Sequence, residues 1–399
     1  MKKYLIIGSI VIVLLVGCFF LWQFLRVKFA NVELILKDDL QVAFLSDVKV
    51  SDFIESINGE IVDDKRIDTT KIGEQKIEFE YINDDGIKLE CSYDIEVVDV
   101  TPPVIWLNSS YSVNVGSTIS LVDDILCGDD YDPNPVCEVI GEYNMNEEGS
   151  YDLVFKATDS SGNVTEQEFT LNVRAPSGGG SSSNSSRTRT DFADVIREYK
   201  SESTEIGIDV SHWQGDIDFD ALKEAGVEFI IIRVGTADGI DGDYVLDRKF
   251  IQNIEGANKV GIPVGIYFYS YADTKERAVA DANWILEQIE GYDVDLPIAF
   301  DWENWSFYND FNLSFFGLTD MANSFLSVFE DAGYEGMLYS SKNYLERIWL
   351  DTNYPIWLAH YTSQTNYEGD FDFWQLCNNG RVDGIDGDVD INIRYLSTE

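Results

Sequence analysis

Histidine, cysteine and basic residues are scarce in this chain, and each scarcity narrows what it can do. The 399 residues include two histidines, His212 and His360, without paired ligand spacing, so a structural or substrate-contacting role outweighs a zinc site. No metal and no cofactor is expected. Five cysteines are too few for a disulfide framework, which leaves packed cores to hold the fold. Lys and Arg total 28 against 72 Asp and Glu, a net charge of -44 that repels phosphate backbones, so no nucleic acid partner is expected. Helical periodicity is nearly absent before residue 175, and one long apolar run occurs, at the N-terminus.

What is present describes a folded, multidomain protein. With 45% hydrophobic and 13% aromatic residues the chain can bury substantial cores despite its charge. From Tyr4 to Leu25 it is almost wholly apolar, long enough as a helix to cross a bilayer, and Lys2 and Lys3 precede it. Residues 1–28 are therefore predicted to be an N-terminal transmembrane helix, a single-pass anchor in the cell membrane with the rest of the chain outside. Leu15-Val16-Gly17-Cys18 also resembles a lipoprotein cleavage box, an alternative that keeps membrane attachment but that Phe19 to Trp22, still apolar, disfavour.

Residues 30–100 and 101–174 read as two β-rich modules. In Lys76-Ile77-Glu78-Phe79-Glu80-Tyr81 apolar and charged residues alternate with period two, and Asp159-Ser160-Ser161-Gly162-Asn163 supplies a hairpin turn between two further such runs. Cys127 and Cys137 flank an Asp- and Pro-rich turn, and either close a small loop or stay free thiols. Residues 175–203 contain a Gly/Ser-rich linker, flexible by composition.

From about residue 204 to 399, strand-like runs alternate with helical patterns, the signature of a β/α barrel. Eight strands are predicted, at 206–210, 229–234, 265–269, 297–303, 336–339, 356–359, 373–376 and 390–393. Asp218 and Thr319 are predicted to cap two of the helices between them. Catalytic groups of such barrels sit where strands end, which singles out Asp209, Asp301 and Glu303; Asp390, at the start of the last strand, fits this rule less neatly. Asp301 and Glu303 are two apart on an extended segment, so they share a face with Cα atoms about 6.5 Å apart. Two carboxylates that close raise each other's proton affinity, which is what a general acid near neutral pH needs. Tyr267, Tyr269, Trp357, Tyr361 and Trp374 lie near strand ends, where their rings could wall a sugar groove.

Gly207-Ile208-Asp209-Val210-Ser211-His212-Trp213-Gln214-Gly215, Arg233-Val234-Gly235, Gly265-Ile266-Tyr267-Phe268-Tyr269-Ser270, Trp374-Gln375 and Gly387-Asp388-Val389-Asp390-Ile391-Asn392 occur in that order. Together they resemble glycoside hydrolase family 25, the lysozymes or N-acetylmuramidases of the Chalaropsis type. Asp99 to Ile105, Gly149 to Tyr151 and Ala157 to Asn163 resemble bacterial immunoglobulin-like repeats. The first resemblance implies an irregular β/α barrel that hydrolyses the β-1,4 bond between N-acetylmuramic acid and N-acetylglucosamine, with peptidoglycan glycan strands as partner. It implies Glu303 as acid/base and Asp301 as its partner, with Asp209 and Asp390 completing the acidic cluster. The second implies β-sandwich spacers. A catalytically inactive wall-binding surface protein or an adhesin is the competing expectation.

Overall fold

The computed structural model describes residues 16, 18–19, 21–176, 189–240, 242–303, 308 and 311–396. They divide into two compact units, residues 1–101 and 102–399.

The expected N-terminal transmembrane helix is not supported. Residues 21–28 are helical, but among the described residues no helix is long and apolar enough to cross a membrane. Residues 1–15 of the expected span lie outside the described part, and within the helix the polar Gln23 and Arg26 interrupt the apolar surface.

In the first unit, β1 (Gly73–Asn83) and β2 (Lys88–Val98) form a long antiparallel hairpin within a four-stranded sheet. The period-two pattern sorts the residues by face: Ile77, Phe79 and Tyr81 are buried, while Glu78 and Glu80 between them are exposed. A two-stranded sheet, Leu34–Leu36 with Ile54–Ile57, accompanies it.

The second unit begins with another β module. Short strands β3 (Val104–Ile105) and β5 (Cys127–Gly128) pair with each other, and a four-stranded sheet orders β6 (Val136–Ile140), β7 (Gly149–Thr158), β8 (Val164–Arg174) and β4 (Ser110–Asn114). The turn between β7 and β8 closes where Asp159 Oδ1 accepts the Asn163 N–H at 2.8 Å and Gly162 takes φ 93°. Cys127 and Cys137 form a disulfide.

The linker gives way to the next domain sooner than its composition implies. Residues 177–188 lie outside the described part, and Thr190–Asp191 already pairs with a barrel strand. Helix α1 (Phe192–Tyr199) follows, capped by the Asp191 carboxylate, which accepts from the Ala193 N–H, and buries Phe192 and Val195.

Eight strands then close on themselves: β9 (Thr204–Val210), β10 (Phe229–Ala237), β11 (Val264–Tyr269), β12 (Ile298–Asp301), β13 (Gly336–Ser341), β14 (Ile356–Ala359), β15 (Phe373–Arg381) and β16 (Val389–Tyr395). Neighbours from β9 to β15 run parallel, whereas β16 is antiparallel to both β9 and β15 and joins the two ends. Alternation divides the strands cleanly. Phe229, Ile231, Ala299, Met337, Trp357 and Phe373 fill the interior, while Ile230, Ile232, Phe268, Phe300 and Leu358 face the helices. Those helices are α2 (Phe219–Glu224), α3 (Phe250–Val260), α4 (Lys275–Ile289), α5 (Phe315–Asp331) and the short α6 (Lys342–Leu345).

Candidate active site

The reversed strand β16 explains the acid that fitted the barrel rule least. Because β16 runs against its neighbours, its first residues lie at the rim where the parallel strands end, and Asp390 stands directly opposite Asp209 in the β9–β16 register. On the far side of the barrel Asp301 ends β12 beside Tyr269 of β11 and Tyr339 of β13. The structure thus brings all four acids to one rim.

Asp209 and Asp301 are buried, at 5% and 4% exposure, whereas Glu303 is exposed at the mouth of the site. Asp209 is held from below by amides: Gln375 Nε2 and Asn392 Nδ2 each donate to its Oδ2 at 2.8 Å. Gln375 Nε2 also reaches Asp390 Oδ2 at 3.5 Å, and its Oε1 accepts from the hydroxyls of Tyr339 (3.0 Å) and Tyr361 (3.1 Å). Asn392 Oδ1 accepts the Trp357 indole N–H at 2.8 Å, so the amide groups form a continuous floor. Asp301 Oδ1 is buried without a hydrogen-bond partner.

This enclosure holds protons. Burial, and then the charges of Glu303 and Asp209, push the Asp301 carboxyl well above the ordinary carboxylate range. Burial and Asp209 together push Asp390 up to about 9. Asp209 is raised by burial, and the hydrogen bonds from Asn392 and Gln375 pull the other way. Glu303 is raised by the protein around its inner side and by Asp209, and lowered by a hydrogen bond from Asp301. Burial and mutual repulsion therefore both favour a proton on the Asp301–Glu303 pair.

A cation on β10 faces the acids. Arg233, opposite Tyr267 in the β10–β11 register, lowers the proton affinity of Asp301, and its guanidinium is pinned by Asp247, with Nε 2.9 Å and Nη2 2.7 Å from Oδ2. His212 Nδ1 lies 2.9 Å from the same oxygen, which gives this histidine a structural place at the rim. Among the described residues of the barrel, no three acidic, thiol or imidazole groups converge as a metal centre would require.

The aromatic residues expected to wall the groove separate into three positions. Tyr267 and Tyr269 are half-buried beside the acids, with both hydroxyls made harder to ionise by burial and by neighbouring carboxylates. Tyr361 is 53% exposed and lines a cavity of about 400 Å³ together with Glu303, Tyr339, Lys342, Tyr344 and His360. Trp357 is buried within the barrel as part of the floor, packed on Tyr267 and Tyr339. Trp374 is not in the site. It faces outward among the helix-packing residues, buried edge-on against Tyr199 of α1, and its indole N–H donates to the His360 carbonyl. The alternation along β15 puts Phe373 and Gln375 inside and Trp374 outside.

Gln375, Asn392, Arg233 and Tyr339 had no assigned role from sequence. The available signal was parity: each is an even number of residues from an inward position on its own strand.

A β/α barrel with an acid pair at its C-terminal rim is an arrangement met among glycoside hydrolases. Comparison points to a particular family: residues 208–385 match the family model for glycosyl hydrolases family 25. Its curated relatives include the autolytic lysozyme of Clostridium acetobutylicum, 26% identical over 189 residues, covering 47% of this chain and 54% of that protein. Lysozyme M1 of Streptomyces globisporus is 29% identical over 205 residues, covering 47% of this chain and 66% of the relative. The chain thus spans between about half and two thirds of the length of these relatives. Among solved structures it is similar to the modular autolysin LytC from Streptococcus pneumoniae in complex with synthetic peptidoglycan ligand, at 24% identity and a TM-score of 0.43, covering 61% of this chain and 56% of that one.

Proposed function

We propose that the barrel is an N-acetylmuramidase of the Chalaropsis type, which hydrolyses the β-1,4 bond between N-acetylmuramic acid and N-acetylglucosamine in peptidoglycan outside the cytoplasm. The observation that carries this reading is the placement of a buried Asp301 at the end of its barrel strand and a cleft-facing Glu303 two residues on, both with proton affinity raised by burial. Cleaving a glycosidic bond requires a proton for the leaving oxygen and negative charge beside the developing oxocarbenium ion. Glu303, at the open side, is placed to deliver the proton to the bridging oxygen; Asp301 behind it passes that proton forward and carries the negative charge. A water then adds to the anomeric carbon and gives its proton back to the Asp301–Glu303 pair, leaving a new reducing-end hydroxyl. Tyr361 and Tyr269 offer ring faces to the sugars, and Asp209 keeps the pair's proton affinity high. The Cys127–Cys137 bond suits an oxidising compartment. The two β modules then serve as immunoglobulin-like spacers.

The test incubates the full chain and its Glu303→Gln variant with insoluble peptidoglycan, followed by borohydride reduction and mass spectrometry of the new sugar ends. Muramitol from the wild type alone supports the reading. Glucosaminitol means a different bond is cut, and release from neither, with the protein pelleting on the wall, means a binding module.

A further inference from the structure

The β module of residues 102–174 reaches the barrel through the short ring closed by Cys127 and Cys137. Inside that ring the carbonyls of Asp129 and Asp130 accept the backbone N–H groups of Phe315 (2.8 Å) and Phe316 (3.1 Å), the first residues of α5. The side chains of Asn134 and Asn312 meet just before them. Gly128 lies flat on two barrel rings, so close that a Cβ there would stand 2.6 Å from Phe315 and 3.0 Å from Tyr308. A second contact is made by Trp106, which stacks on Tyr344 at 4.8 Å with the Arg347 guanidinium 5.2 Å from its ring.

Both contacts lead into the acid pair. The regular ladder of β12 stops at Asp301, and Trp302 and Glu303 lie beyond it outside any strand. Trp302, between the two acids, is wholly buried, donates its indole N–H to the Ala272 carbonyl at 2.8 Å, and takes the rings of Phe311 and Tyr308 edge-on at 5.6 and 6.4 Å. Tyr308 in turn packs on Phe315, the residue that Gly128 covers. Tyr344, under Trp106, lines the same cavity as Glu303.

We propose that the disulfide-closed loop 127–137, with Trp106, is a positioning element of the active site: it fixes Trp302 and Tyr344 and so sets where Asp301 and Glu303 stand in the cleft. The module is thereby a working part of the barrel's chemistry as well as a spacer. The inference rests on the hydrolase reading. A displacement of about 1 Å at a reacting group is enough to lower a rate a hundredfold, so a module that touches no substrate can still govern turnover.

The test uses the full chain on soluble peptidoglycan fragments and compares wild type with Gly128→Val, Trp106→Ala and Trp106→Phe, reading kcat, KM and the alkaline limb of the pH profile. Gly128→Val pushes Phe315 and Tyr308 toward Trp302; kcat falls by roughly ten- to a hundredfold, KM stays within about threefold, and the alkaline limb moves to lower pH as water reaches the pair. Trp106→Ala gives a smaller change of the same kind with the disulfide ring intact, and Trp106→Phe restores it. Wild-type values of kcat and of the limb in both Gly128→Val and Trp106→Ala overturn the inference. A wild type that releases no reducing ends overturns the hydrolase reading instead.

Discussion

Asp209 and Asp390 face each other across the antiparallel β9–β16 seam of the barrel, where burial and then the charge of Asp209 push the Asp390 carboxyl up to about 9. In the unfolded chain the same carboxyl titrates near about pH 4. A proton affinity raised by folding contributes stability that is fully present below the unfolded value and is lost as pH climbs through the folded one. The window for Asp390 is therefore from about 4 to about 9. Asp390→Asn keeps a donor toward Asp209 and has no proton to lose. Its melting temperature should exceed that of wild type by an increment that grows from pH 4 to pH 9, with peptidoglycan cleavage at neutrality reduced less than about tenfold. Calorimetry at several pH values decides, and an increment independent of pH would sink the argument.

Glu303 is exposed and carries little of the fold, so Glu303→Gln should melt with wild type while losing roughly a hundred- to ten-thousandfold in kcat, the range for removing a general acid. The paired measurement of melting and turnover separates loss of chemistry from loss of structure. An equal drop in both would place Glu303 in the scaffold.

The acids were legible because they end strands whose apolar runs are unmistakable, and Asp301-x-Glu303 shares a face by spacing alone. Strand direction was not legible. Nothing in Val389 to Tyr395 says that the run turns back antiparallel, and that reversal is what puts Asp390 at the rim. Helix caps were half legible: Asp218 caps α2 as its sequence suggests, accepting from the Ala221 N–H, but α5 starts one turn before Thr319, at Ser314. Thr319 instead spends its hydroxyl on the Leu350 N–H, a tertiary contact with no local signal. The apolar stretch at the N-terminus matched a membrane span in length and hydropathy, yet residues 21–28 extend as helix through Gln23 and Arg26, which periodicity alone does not weigh.

Gln375 uses every hydrogen-bonding group of its amide, two on carboxylates and two on tyrosines. Gln375→Leu should cost about 1–3 kcal/mol for the stranded polar groups. It also has a sign in pH. Losing the Gln375 donor raises the proton affinity of Asp209, a neutral Asp209 no longer raises Asp301, and the alkaline limb of kcat/KM moves to lower pH. A limb that stays put, measured on soluble glycan fragments, would show that the amide floor does not tune the acid pair.

Tyr361 and Trp374 are both aromatic residues near strand ends, and the structure assigns them opposite duties. Tyr361 is 53% exposed at the cavity, so Tyr361→Ala should raise KM by about tenfold, the loss of one sugar-stacking ring, and leave the melting temperature within a degree or two. Trp374 is 2% exposed against α1, so Trp374→Ala should destabilise by about 3–5 kcal/mol and leave KM unchanged under conditions where the protein stays folded. Denaturant unfolding and steady-state kinetics on the two variants test the pair together. A raised KM in Trp374→Ala would mean that side-chain alternation along β15 does not divide site from core, and a lost fold in Tyr361→Ala would place that ring in the scaffold instead of the cleft.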